Sequence, residues 1–298
     1  MTLREFEERT KRAEAARGGE AIALRVASWT IRFDGIAPED REALAARWGA
    51  FATAPGGPAD LRVAVRDAGV EPWSVPPDGG EPYRLEAVEG EGPAPVVSYA
   101  FGLGPTGKSD FVLAISRHER EPVPNSFDNA ARVLVARLAA EAGGIALHGA
   151  GVVRCGRAWV FAGPSRAGKS TAVRLSRPDP SLGDDFAVLV RRAGVWHAAA
   201  VPFDNAARVG PDRATGSFVL AGVYRLVQAE EARIERPEGP RAAASLLASA
   251  AFPWAIPDLG DRLAGAAAEL ARAGKVAHLH FRDDPGFWPL LLADARIS

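Results

Sequence analysis

The feature that most constrains this chain is an eight-residue run, Gly163-Pro164-Ser165-Arg166-Ala167-Gly168-Lys169-Ser170, set between the apolar stretch AWVFA and the segment STAVRLSR. It has the form GxxxxGK[ST]. In such a loop, successive backbone N–H groups curl around phosphate oxygens while the following helix turns its N-terminus to the same anion. The chain must therefore supply a strand entering the loop and a helix leaving it, and the flanking sequence reads as both. Gly163 and Gly168 permit the curl without a Cβ penalty. Lys169 is expected on the β and γ phosphates, Ser170 on Mg²⁺, and Thr171 in the first helical turn beside them. Ser165 and Arg166 occupy variable positions that either contact phosphate or face solvent. The expected ligands are ATP and Mg²⁺.

The same pattern occurs a second time, at Gly102-Leu103-Gly104-Pro105-Thr106-Gly107-Lys108-Ser109. Its context differs. It follows VVSYAF and runs directly into Asp110 and the alternating FVLAIS, so it reads as a hairpin turn. The overlapping GxGxxG fails for the same reason, because no helix opens after its last glycine.

The chain has 298 residues, enough for two ordinary domains. With 47% hydrophobic residues, 24% charged residues and a net charge of -1, nothing pulls it globally toward nucleic acid or anionic lipid. The first residues, MTLREFEERTKRAEAARGG, are charged and lack an apolar core, which predicts neither a signal peptide nor a membrane span, and hence a cytoplasmic protein. Cys155 is the only cysteine, so no disulfide framework and no multi-cysteine metal site can form within the chain. It reads as a small half-buried residue of a hairpin. Only four lysines, Lys11, Lys108, Lys169 and Lys275, stand among many arginines.

Along the first half, residues 3–17 read as a charged helix, 21–33 as one bent strand or two short ones, and 38–51 as a helix with proline and acids in its first turn. Short strands are expected at 61–66, 83–88, 96–101 and 111–116, separated by Gly and Pro clusters. The polar segment RHEREPVPN marks a boundary, giving an α+β module over 1–122 and an α/β domain over 123–298. The second domain begins with a helix capped by Asn125 or Ser126 and ended by Gly143-Gly144. It continues with a hairpin, IALHGAGVV, RCGR and AWVFAG, and a short helix cut off by Pro178. Strands follow after Gly183-Asp184-Asp185, near 195–199, at 218–227 and at 276–281, with helices at 241–251, at 259–272 and after Pro285. The heptapeptide FDNAARV appears at 127–133 and again at 203–209, with no repeat around it, and reads as coincidence.

Two features could stand near a γ-phosphate. Asp184-Asp185 lies at the head of a strand, and a return strand beside the loop strand would bring one carboxylate to Mg²⁺ and the other to the proton of an attacking hydroxyl. His148 sits on the strand antiparallel to the loop strand. Arg208 and Arg213 are candidates for a phosphate or acceptor clamp. His278 and His280 share one strand face without a third metal ligand in view, His118 and His197 show no partner, and the seven tryptophans read as packing residues.

The string LHGAGVVRCGRAWVFAGPSRAGKSTAVRL, followed by GDDFAVLV, resembles the catalytic core of HPr kinase/phosphorylase and its HPr kinase-related relatives, whose fold is distantly similar to ATP-dependent phosphoenolpyruvate carboxykinase. The resemblance spans roughly 144–190. It implies an HPr kinase-like P-loop domain with a mixed sheet, in which His148 is the active-site histidine, Asp184 the base and Asp185 a metal or phosphate partner, with Ser170 on the metal. It further implies transfer of the ATP γ-phosphate to a serine-type hydroxyl of a protein or peptide. No counterpart of that family's downstream Gly-rich signature is present, which points away from HPr itself as the acceptor and away from the family's hexameric assembly. A nucleotide-binding regulator without turnover, a small-molecule kinase and carboxykinase chemistry are the alternatives. The oligomeric state is open.

Overall fold

The computed structural model describes residues 1–15, 19–77, 84–88, 94–203 and 213–297, and within them the chain is mixed α/β with two mixed sheets of eight and nine strands. It divides into two compact units. One comprises Met1–Leu134 with Phe252–Asp258; the other comprises Val135–Ala251 with Leu259–Ser298.

The first unit starts with α1 (Leu3–Arg12), fixed by a capping box in which the Thr2 hydroxyl accepts from Glu5 N–H and the Glu5 carboxylate accepts from Thr2 N–H. The helix ends five residues sooner than its composition predicts. Glu14 and Asp67 instead exchange two backbone hydrogen bonds, at 2.9 and 2.8 Å, so tertiary pairing overrides helix propensity. The alternating segment after it is a hairpin, β1 (Glu20–Val26) and β2 (Trp29–Ile36), followed by α2 (Pro38–Trp48). Then come β3 (Ala52–Thr53), β4 (Leu61–Asp67), β5 (Glu86–Ala87), β6 (Val96–Val97), β7 (Phe101–Pro105) and β8 (Asp110–Ile115). The sheet order is β3-β1-β2-β4-β8-β7-β6-β5, with β2, β4 and β8 parallel. The strand expected over 96–101 is broken at Ser98, whose hydroxyl accepts from Ala100 and Phe101 N–H and turns the chain back into β7.

Helix α3 (Val123–Glu141) begins ahead of Asn125 and Ser126, so neither residue caps it, and Pro124 lies in its first turn, where a missing N–H is tolerated. Its Phe127 meets Phe33 edge-on with centroids 5.6 Å apart. Asp128, buried at 2% exposure, accepts from Arg47 Nε at 2.6 Å and Trp48 Nε1 at 2.8 Å.

In the second unit, β9 (Ile145–Leu147) and β10 (Gly149–Arg154) are almost one strand, interrupted only at His148. After them come β11 (Arg157–Ala162), α4 (Lys169–Leu175), β12 (Ser181–Gly183), β13 (Ala187–Arg192), β14 (Val195–Ala199), β15 (Ser217–Gln228), β16 (Arg233–Glu235), α5 (Gly239–Leu247), α6 (Gly260–Arg272), β17 (Val276–Phe281) and α7 (Trp288–Ile297). The main path runs β12-β10-β11-β15-β14-β13-β9, while β17 pairs with β15 and β16 with β17. Because β9 at one end of that path leads straight into β10 near the other, the sheet has to curl back on itself as a half-barrel. Strands β11, β15 and β17 are parallel neighbours, so their C-terminal ends share one rim. One face of them carries Trp159, Phe161, Leu226 and Phe281, and Phe287 after β17 and Ala172 of α4 are buried in the same cluster.

Among the described residues no helix is long and apolar enough to cross a membrane. The second copy of FDNAARV, with Arg208, falls largely outside the described residues.

Candidate functional site

The rim formed by β11, β15 and β17 is where the glycine loop sits, between the end of β11 at Ala162 and the start of α4 at Lys169. The strand-loop-helix context predicted for Gly163 to Ser170 is thus present. Gly163 has φ 151°, Arg166 φ 64° and Gly168 φ 100°, three left-handed turns of the backbone within six residues. Gly168 is irreplaceable for a second reason: a Cβ there would stand 2.8 Å from Cζ of Phe281, the last residue of β17. From the end of β15, Gln228 Nε2 donates to Arg166 O at 3.1 Å and holds the strained part of the loop from outside. Pro164, Ser165 and Arg166 are exposed, while Ala167 and Gly168 are half-buried.

Lys169 is buried at 7% exposure. Its ammonium donates to the carbonyl oxygens of Gly163 and Pro164, both at 3.1 Å, and lies 3.4 Å from Asp185 Oδ1. One residue on, the Ser170 hydroxyl donates to the Asp184 carboxylate, 2.9 Å from Oδ1 and 3.0 Å from Oδ2. Asp184 is itself buried at 2% exposure, whereas the Asp185 side chain is 40% exposed. The two acids therefore face different partners. Both reach the loop, but by a route other than the expected return strand beside β11. They follow β12, a three-residue strand that pairs with β10, with Gly183 opposite Gly151. Gly183 is required there, since a Cβ would lie 2.5 Å from Val201 Cγ2, and Asp185 adopts a left-handed φ of 76°. A non-glycine residue in that region stores backbone strain, which recurs at sites where a side chain must be aimed.

His148 occupies the break between β9 and β10. In the β10–β11 ladder Gly149 faces Ala162, so the next pair is His148 with Gly163, and the Gly163 N–H donates to His148 O at 3.3 Å. Its side chain is exposed. Lys169 and Ser170 at the start of α4 thus meet Asp184 and Asp185 after β12, and the backbone of His148 pairs with the first residue of the loop, so three segments of the second unit converge there. Arg213 bridges to Ser181 at the base of β12.

Among the described residues of the loop site, the Ser170 hydroxyl and the Asp184 carboxylate, already in contact, are side chains that could hold a divalent ion, with Asp185 one residue on. These are hard oxygens and few in number, which suits Mg²⁺ carried in with phosphate rather than an ion in an all-protein cage. Among the described residues no group of three or more His, Cys, Asp and Glu side chains stands ready to hold a metal.

The remaining candidates resolve otherwise. In the Gly102 motif, Gly102 and Gly104 lie within β7, and Cβ atoms on them would meet Trp73 at 2.9 Å and Phe6 at 2.6 Å. The motif is there for packing, and Lys108 is in an exposed turn. Cys155 is exposed, not half-buried, because Cys155 and Gly156, with φ 53° and 71°, form a two-residue turn that points outward. His118 packs edge-on against Tyr99, and His197 Nδ1 lies 3.0 Å from Val195 O. Trp48, Trp73, Trp159, Trp196 and Trp288 are buried packing residues, but Trp254 is 40% exposed.

Residues 127–262 match the family model of the SynChlorMet cassette protein ScmC. The match covers the loop, His148 and both aspartates but less than half of the chain. No curated protein matches the chain.

Sequence reasoning missed Gln228 and Phe281. Neither carries a motif, and both act by touching the loop from strands more than 50 residues away in sequence.

Proposed function

We propose that this chain is an ATP-dependent kinase, similar in its core to the HPr kinase group, that transfers the γ-phosphate to a serine-type hydroxyl of a protein or peptide. The observation that carries the reading is the pairing of consecutive residues: Lys169 with Asp185 and Ser170 with Asp184, at the end of a strand-loop-helix junction. A phosphate loop alone binds nucleotide. Two acids aimed at its Lys and Ser add the means to handle a metal and a proton.

The loop amides and Lys169 would hold the triphosphate, with the ammonium exchanging its bonds to Gly163 O and Pro164 O for phosphate oxygens. Magnesium, bound with the nucleotide, supplies neutralisation of the charge on the transferring phosphoryl group. Ser170 and Asp184 are the residues that would hold it. Their part-buried hydrogen bond keeps both groups oriented, and a buried carboxylate such as Asp184 needs such a partner. Asp185 is then the better candidate for the base. It is the more exposed of the two acids, so an acceptor hydroxyl can reach it, and it stands 3.4 Å from the Lys169 ammonium that would grip the phosphate. These assignments exchange the roles that family resemblance gives the two acids. His148, opposite Gly163, would orient the acceptor or polarise the transferred group.

The test is incubation with γ-labelled ATP, Mg²⁺ and serine-containing peptide and protein fractions. Label transfer that persists in Asp185→Asn but is lost in Asp184→Asn would return the base to Asp184. Nucleotide binding with no transfer to any acceptor would replace the kinase with a nucleotide-binding regulator.

A further inference from the structure

His278 and Ser245 form a pair that the proposed chemistry does not use. Ser245 lies on α5, is buried at 7% exposure, and shares a 2.8 Å hydrogen bond with His278 Nε2 on β17. The neighbouring His280 has its own partner, with Nε2 3.1 Å from Glu235 Oε2 across the β16–β17 pair. One turn after Ser245, the Ser249 hydroxyl donates to Ser245 O at 3.3 Å. The segment that follows leaves the helix and runs alongside β9. Ser249 O accepts from His148 N–H at 2.7 Å, Ala250 bridges Leu147, and Ala251 N–H donates to Ala146 O at 2.9 Å.

His148 stands at the break between β9 and β10: its carbonyl accepts from Gly163 N–H, while its own N–H turns to the segment after α5. What accepts its N–H is the Ser249 carbonyl, two residues past the end of α5. Ser245 on His278 ties α5 to β17 by a polar contact. We infer that His278, acting through Ser245 and the Ser249 carbonyl, is a positioning residue for His148. The contact sets the height of α5 against the sheet and so the point at which residues 249–251 dock on β9. The inference takes its catalytic meaning from the kinase reading, but its structural content stands apart from that reading.

The experiment is hydrogen–deuterium exchange on the full chain, read at His148 and at the β13–β14 amides, for the wild type, Ser245→Ala, Ser245→Cys, His278→Ala, Ser245→Thr and His278→Gln. Losing one hydrogen bond at a buried site predicts roughly tenfold faster exchange at His148 in the Ala and Cys variants, with the β13–β14 amides unchanged. The Thr and Gln variants, which can keep a donor or acceptor in place, should retain wild-type exchange. Label transfer, where the wild type shows it, should fall in Ser245→Ala with KM for ATP unchanged. Unchanged exchange at His148, equal acceleration throughout the sheet, or failure of both conservative variants to restore protection would overturn the inference. A wild type that transfers no label would count against the kinase reading, while the exchange result would still decide this one.

Discussion

Gly168→Ala perturbs the loop at the position where two constraints meet. The first is backbone: φ is 100°, a region that costs a residue with a Cβ about 1–2 kcal/mol. The second is contact. The new methyl would stand 2.8 Å from Phe281 Cζ and 3.2 Å from Cε1, well inside normal separation, and relieving such overlap in a packed core costs about 1–3 kcal/mol. Together they predict a loss of about 2–5 kcal/mol. Phe281→Leu removes the ring edge and leaves the backbone term. In that background Gly168→Ala should cost only about 1–2 kcal/mol, giving a coupling of about 1–3 kcal/mol in a double-mutant cycle. The assay is native-state hydrogen exchange at the β11 and β15 amides, which reads the opening of the second unit by itself. Equal cost in both backgrounds would refute the claim that β17 shapes the loop through Phe281.

Three further outcomes follow from the same packing and charge arguments. Lys108→Ala should leave nucleotide affinity unchanged, while Gly104→Ala, whose methyl would meet Phe6 at 2.6 Å, should lower the melting temperature of the first unit; nucleotide titration and calorimetry check both. Asp128→Ala strips the partner from Arg47 Nε and buried Trp48 Nε1 and should destabilise the first unit by about 3–5 kcal/mol in urea unfolding. Burial, reinforced by Arg225 and His280 against the opposing pull of Glu235, holds the His278 pKa below its ordinary 6.5. The unfolded chain therefore binds the proton more readily, so stability is full above about pH 6.5 and falls as pH drops toward the folded pKa. His278→Gln should flatten that part of the stability curve, and an unchanged slope would show that the group is not responsible.

The glycine loop was legible because its mechanism dictates its flanks: AWVFA had to be a strand and STAVRL a helix. The β1–β2 and β10–β11 hairpins were legible for a similar reason, as alternation with turn residues is a local signal. What could not be read was pairing at a distance. Asp184 and Asp185 reach the loop just after β12, a strand too short to show any period, and the break at His148 divides a segment whose composition is continuous. The helix expected to follow RHEREPVPN starts inside that segment, at Val123 and ahead of its expected caps, because Pro124 suits a first turn and Asp128 is tied to Trp48 from α2. Ser245, Gln228 and Phe281 reveal their roles only through neighbours far along the chain.

Everything proposed for the site depends on Lys169 and the surrounding amides gripping a triphosphate. Titration of ATP into the wild type and Lys169→Ala, with and without Mg²⁺, tests that grip directly. The account predicts binding that Mg²⁺ strengthens and that Lys169→Ala weakens at least about tenfold, since charge-assisted hydrogen bonds are worth about 1.5–3 kcal/mol. Equal affinity in the two proteins, or no ATP binding by the wild type, would contradict it.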